Sequence, residues 1–179
     1  AIWSSSIYSA SLMQRLSMLM PWGERPNPGT AYLIGLLYDI GLLVVGHLFT
    51  DEYSQLNTYL EENEGVDLFS AETDIMGITH IEVGKMVLRM WSMPEELIAV
   101  STHYNDKDYS DKYIKYIQLL SVVKTLLSPH GLSFDSNDEE LLPGILEQLH
   151  LDEEEVIIAA DEVLQEGDII NNLVQQMCA

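Results

Sequence analysis

Apolar residues recur every three or four positions along most of the chain. No stretch shows convincing strand alternation and no internal repeat is visible, so the pattern predicts an all-α fold. Trp3, Ile7, Ala10 and Met13 or Gln14 share one helical face, and Pro21 ends that run. Residues 21–29 hold Pro21, Gly23, Pro26, Pro28 and Gly29 and read as a loop. Asn27 is placed to cap a helix with Pro28 at its first position. That helix is expected to run through Asp39 toward Phe49, with Gly41 and Gly46 permitting close packing or a bend. Residues 51–63 predict a polar helix with Tyr53, Leu56 and Leu60 as its apolar stripe, stopped by Gly65. Residues 69–77 predict a short helix containing Glu72.

Thr79 and Glu82 have the spacing of a capping box, which starts a helix with His80 in its first turn. Val83, Met86, Val87, Met90 and Trp91 are its expected packing face. Pro94 opens the next helix, in which Leu97, Ile98, Val100 and Ser101 lead to His103. A polar loop over 105–112 precedes an apolar helix over 113–128, broken by Pro129 and Gly131. Beyond it, Leu141, Leu142, Ile145, Leu146 and Leu149 form one stripe. Asp152 and Glu155 cap a last helix with Val156, Ala159, Ala160, Val163 and Leu164 inward, continuing to Leu173 and Met177.

Within this pattern Asp39 stands out. It lies between Leu33, Ile34, Leu36 and Leu37 on one side and Ile40, Leu42, Leu43, Val44 and Val45 on the other. A buried carboxylate is costly without a cation, a metal or several donors, so Asp39 requires a partner. A structural cap or a pair with a Lys answers that need as well as a functional site does.

Composition narrows the function classes. The 179 residues suit one domain with a sizeable core, and 47% hydrophobic with 21% charged residues is a globular balance. Eight Lys and Arg face 29 acids, for a net charge of −21. Such a surface repels nucleic-acid phosphates and argues against anionic membranes. Apolar runs are interrupted by Gly, Asp or Lys, which predicts no membrane span. The single cysteine, Cys178, permits no disulfide within one chain and fits a reducing cytoplasm. Ala1-Ile2-Trp3 lacks the basic start of a signal peptide. No phosphate-cradling Gly loop, Cys-x-x-Cys or nucleophile elbow occurs. His47, His130 and His150 stand singly and read as structural or surface residues. The eight Met residues read mostly as core packing, and Asp152 to Glu155 as a solvated helix start.

Gly35-Leu36-Leu37-Tyr38-Asp39-Ile40-Gly41 resembles the Gly-Leu-Leu-His-Asp-Ile-Gly signature of the HD superfamily, largely metal-dependent phosphohydrolases. Other motifs resemble one branch, the HDOD domain (HD-related output domain) of bacterial signalling proteins. Trp3-Ser4-Ser5-Ser6 followed by Ala10 is similar to its Trp-x-His-Ser opening. Glu72, Gly77, His80 and Glu82-Val83-Gly84 are similar to its Glu…Gly-x-x-His-x-Glu-Val-Gly segment. Trp91-Ser92-Met93-Pro94 and His103-Tyr104 are similar to its Trp-x-Leu-Pro and His-His. The set keeps its order over roughly residues 3–128. The resemblance implies an HD-like helical bundle over 1–131, short of its usual N-terminal helical lead-in, with 132–179 as an acidic helical extension packed on it. It also implies a C-terminal portion of a longer protein, or a processed form.

HD enzymes gather His and Asp side chains around one or two metal ions, which activate water and clamp a phosphate. Carried over position by position, the first His falls at Ser5 and the His of His-Asp at Tyr38, while Asp39 is kept. His80 and His103 match later histidines, Tyr104 replaces a third, and the last Asp falls at Lys124. Ser and Tyr are poor ligands at neutral pH, and an ammonium offers no lone pair. Asp39, His80 and His103 remain as the set that could hold one metal with an open position. Against this, His80 could hydrogen-bond across helices and His103 could cap its own helix end. Ile117, Leu120 and Leu127 share a face with Lys124, whose ammonium either snorkels to water or fills the vacated site and pairs with Asp39.

The expectation is a non-catalytic, HDOD-like regulatory module without cofactor. It would act through other proteins or other domains of its own chain. A metal-dependent phosphohydrolase acting on a nucleotide or cyclic nucleotide is the alternative, and a nucleotide sensor without turnover is a second.

Overall fold

The structure, a computed structural model, describes residues 2–63, 65–133, 139–167, 169, 172, 175 and 176. The described residues are helical with no strand, as the periodicity requires. In chain order the helices are α1 (Ile2–Leu19), α2 (Pro28–Leu37), α3 (Ile40–Leu48), α4 (Thr50–Glu62) and α5 (Leu68–Met76). They continue with α6 (His80–Met90), α7 (Glu95–His103), α8 (Ile114–Leu127), α9 (Leu142–Gln148) and α10 (Glu153–Gln165). The chain divides into two compact units, one of residues 1–37 with 103–179, the other of 38–102.

In the first unit, α1 is the hub and meets α2, α8 and α10. Ala10, Leu12, Met13 and Leu16 are fully buried. Gly35 allows the backbones of α1 and α2 to meet, since a Cβ there would lie 2.6 Å from the Ser9 carbonyl oxygen. Asn27 accepts the Thr30 N–H at 3.0 Å and so starts α2. The inner face of α10 carries Val156, Ala159, Ala160 and Val163, and Arg15 on α1 pairs with Glu162 at 2.8 Å and with Glu166. Asp152 caps α10 through the Glu155 N–H. Leu149 and Leu146 are buried and Leu142 and Ile145 half-buried, but Leu141 is 51% exposed, so the expected stripe begins at Leu142. Leu173, Met177 and Cys178 lie outside the described residues.

In the second unit, α3 packs on α6 and α4 packs on α5. Asp67 caps α5 by accepting the Phe69 and Ser70 N–H groups, and Gly77 ends it in the left-handed region with φ 72°. The Thr79–Glu82 capping box is present in full.

Three expectations are corrected. The helix from Pro28 does not run through Asp39: α2 stops at Leu37 and α3 starts at Ile40. Within the second unit, the buried Ser101 hydroxyl donates to the Tyr38 carbonyl at 2.7 Å, and the Leu42 N–H turns to Asp39 O instead. Second, α6 packs through His80, Gly84 and Leu88, whereas Met86, Met90 and Trp91 are exposed. Met18 is exposed too, so the methionines are less uniformly core residues than expected. Third, residues 28–48 do reach the length and apolarity of a membrane span. Half of that window is buried within the protein, and the break at Asp39 divides it into two helices.

Candidate functional site

The second unit holds a chain of two acids and a histidine, with Glu72 and His80 buried and Asp39 half-buried. α5 presents Glu72, which is fully buried. The Gly77 turn and the Thr79 cap bring the chain back, so that α6 begins with His80 facing Glu72. One carboxylate meets the backbone nitrogen and the ring Nδ1 of this residue. Nδ1 lies 2.7 Å from Oε1, and the backbone N–H donates to Oε2 at 3.0 Å. Which of the two donates in the Nδ1–Oε1 contact follows from the imidazole tautomer; an ionised carboxylate there can only accept. Nε2 then faces Asp39, 3.5 Å from Oδ1. Phe69 stacks on the imidazole with ring centroids 5.4 Å apart. Gly41 and Gly84 let α3 and α6 meet there, because a Cβ on Gly41 would strike the His80 carbonyl oxygen.

Tyr53 on α4 senses this charge. Burial raises its phenol above the ordinary value, and the negative charges of Asp39 and Glu72 raise it further. Neither Glu72 nor Tyr53 stood out as a site residue from sequence. A signal existed in α5, where Leu68, Ala71, Glu72, Ile75 and Met76 follow helical spacing and set one carboxylate on an apolar face.

The remaining positions carried over from the HD signature lie as follows. Tyr38 is buried in the second unit, at the turn before α3, and its carbonyl accepts the Ser101 hydroxyl. In the first unit, the buried Ser5 hydroxyl donates to the Leu132 carbonyl. His103 Nδ1 lies 3.4 Å from Asp106 and its ring stacks on Tyr109. Lys124 donates to Asn105 at 3.1 Å, and its ammonium sits 4.7 Å above the Tyr104 ring. Asp39 belongs to one unit and Lys124 to the other. Of the lone histidines, His47 and His130 are exposed and His150 pairs with Glu24 at 3.0 Å.

Asp39 and His80 offer one carboxylate and one imidazole nitrogen, with Glu72 behind the ring on Nδ1. Among the described residues no group of three or more His, Cys, Asp or Glu side chains converges to hold a metal ion.

Comparison with known proteins places the chain in a family. The HDOD domain profile matches residues 1–107. The whole chain superposes on 39% of a candidate signal-transduction protein from Marinobacter aquaeolei VT8, with 27% identity and a TM-score of 0.83. It also resembles the MmoQ response regulator of Methylococcus capsulatus str. Bath, with 22% identity over 88% of this chain and 59% of that one, at a TM-score of 0.66. A candidate phosphohydrolase from Shewanella amazonensis SB2B matches with 18% identity over 94% of this chain and 60% of that one, at a TM-score of 0.68. The last two are likenesses of fold alone. The chain spans less than two thirds of the length of each of these relatives. No curated protein matches it. With its profile match covering more than half the chain and the motifs around Asp39 and His80, the protein belongs to the HDOD family.

Proposed function

We propose that this protein is a non-catalytic HDOD module in signal transduction, acting through contacts with other proteins or with other domains of its parent chain. The observation that carries the reading is the Glu72–His80–Asp39 chain, in which two of the three surviving HD-type residues, His80 and Asp39, face one another, while His103 lies against Asp106 and Tyr109. The Ser5 hydroxyl and the Lys124 ammonium are likewise engaged with protein groups. Without a metal there is neither an activated water nor a phosphate clamp. The signal-transduction description of the Marinobacter neighbour agrees with this role. Elemental analysis of the purified protein, with a phosphodiesterase assay on bis-p-nitrophenyl phosphate in added Mn²⁺, tests the proposal. The expected result is no stoichiometric metal and no turnover. About one equivalent of iron, manganese or zinc, lost in Asp39→Ala together with turnover, overturns it.

One observation favours a second reading, a metal-dependent phosphohydrolase. A carboxylate on Nδ1 is the usual support for a histidine that binds metal through Nε2, and Glu72 holds His80 in that way, with Nε2 toward Asp39. The same measurements decide between the two.

A further inference from the structure

The second unit carries a groove that the buried site does not use. Two depressions lie along the seam of α4 and α5 and share Ile75. One, of about 200 Å³, is lined by Val45, Phe49, Glu52, Ile75, Met76 and Ile78. The other, of about 400 Å³, is lined by Ser54, Gln55, Thr58, Tyr59, Glu62 and Ile75. The first lining is mainly apolar, with Phe49 exposed at it, while the second sets Ile75 and the Tyr59 ring among polar side chains. Glu52, Gln55, Tyr59 and Glu62 follow one stripe of α4, so a carboxylate stands at each end, roughly 15 Å apart at the helical rise. Residues 48–79 contain no Lys, Arg or His. Neither Glu52 nor Glu62 meets a cation among the described residues. The groove thus joins an apolar depression, continued through Ile75 and Tyr59, to unneutralised acids at both ends.

We propose that the α4–α5 groove docks a basic amphipathic helix of a partner protein. Apolar anchors at i, i+3, i+4 and i+7 would enter the two depressions, and Lys or Arg about ten positions apart would meet Glu52 and Glu62. The charge of the chain favours this occupant over a second copy. At −21, two copies repel one another, while a basic segment is drawn in. The inference rests on the regulatory reading above and assigns it a surface and a class of partner.

The test uses the full chain and a fluorescein-labelled synthetic helix with Leu at those four positions and Lys about ten residues apart. Anisotropy titrations compare wild type with Glu52→Gln/Glu62→Gln, Ile75→Lys, and a control of equal charge change on the outer face of α10, Glu154→Gln/Asp161→Gln. The expected result is binding that weakens about tenfold in the groove pair, is lost in Ile75→Lys, and is nearly unchanged in the control. Circular dichroism confirms that each variant is folded. If Ile75→Lys unfolds, Tyr59→Ala takes its place. No binding, or an equal loss in the control pair, overturns the proposal. Self-association that the groove pair abolishes also overturns it, because the occupant would then be a second copy. The elemental and turnover measurements are independent of these. A metal-free, inactive chain that ignores the peptide loses only the groove, and an active one that binds it loses only the regulatory reading.

Discussion

Glu72 and His80 are joined twice, through Nδ1 at 2.7 Å and through the backbone N–H at 3.0 Å, with both side chains buried. The carboxylate does two jobs at once. It satisfies the first turn of α6 and fixes which way the imidazole faces. Glu72→Ala strands a buried ring nitrogen and a backbone N–H, so a loss of about 3–5 kcal/mol is expected. Glu72→Gln retains one acceptor and costs less, about 1–3 kcal/mol. Urea denaturation with an unchanged m-value measures both. A loss under about 0.5 kcal/mol in Glu72→Ala would show that the pair carries no net stability.

Tyr53 reports on the same cluster. Its phenol is raised first by burial, then by the charges of Asp39 and Glu72. Removing either charge is expected to bring the titration of Tyr53 down toward the ordinary value without restoring it fully, because burial remains. Absorbance at alkaline pH measures this against a Tyr53→Phe blank. The linkage sign follows from the direction of the shift. A phenol raised in the folded state contributes stability below its unfolded value and loses it as pH rises through the folded one. Tyr53→Phe is therefore expected to flatten the alkaline limb of the stability curve.

Two glycines separate close packing from spare room. A Cβ on Gly41 would overlap the His80 carbonyl oxygen and lie 2.7 Å from the Gly84 nitrogen, and both are backbone atoms. Gly41→Ala must push α3 away from α6, and a loss of about 4 kcal/mol or more is expected. Gly144, in α9, has nothing within 4 Å of its Cβ direction and no positive φ. Gly144→Ala is expected to stabilise by about 0.5 kcal/mol, because alanine loses less conformational entropy on folding. Paired thermal melts check the two signs, and a stable Gly41→Ala would contradict the α3–α6 contact.

The helical class and most caps were legible because they are local. Thr79 and Glu82 sit three residues apart, and the box they form needs nothing from elsewhere in the chain. What escaped depends on distant partners. The break at Asp39 is set by Ser101, 63 residues from Tyr38 in sequence. The inner face of α6 was misread because its most apolar stripe, Val83, Met86, Val87 and Met90, lies outward or half-buried. The stripe that packs is His80, Gly84 and Leu88, chosen by closeness of approach and by Glu72 rather than by hydrophobicity. Asp39 announced itself by interrupting an apolar run. Glu72 did not, because its helix is short and carries other acids and hydroxyls.

The acid limb of stability is expected to begin at the ends of α5 and α6. Asp67 accepts the Ser70 hydroxyl and the Ser70 and Phe69 N–H groups, and these bonds hold its carboxyl below the ordinary range, the Ser70 hydroxyl most of all. Glu82 is lowered in the same way by the Thr79 N–H and then by its hydroxyl. A carboxylate depressed in the folded state contributes stability that is fully present above its unfolded value, about pH 4–4.5, and is lost as pH falls through the folded value. Both groups are solvent-exposed, so each contribution is small and screened by salt. Asp67→Asn and Glu82→Gln are therefore expected to flatten the stability curve only below about pH 4.5. Thr79→Ala removes the hydroxyl half of the box at every pH and is expected to cost about 1 kcal/mol at neutrality. Chemical denaturation across pH 3–7 reads all three. A Glu82→Gln curve parallel to wild type at acid pH would mean that the box contributes geometry but no linked stability.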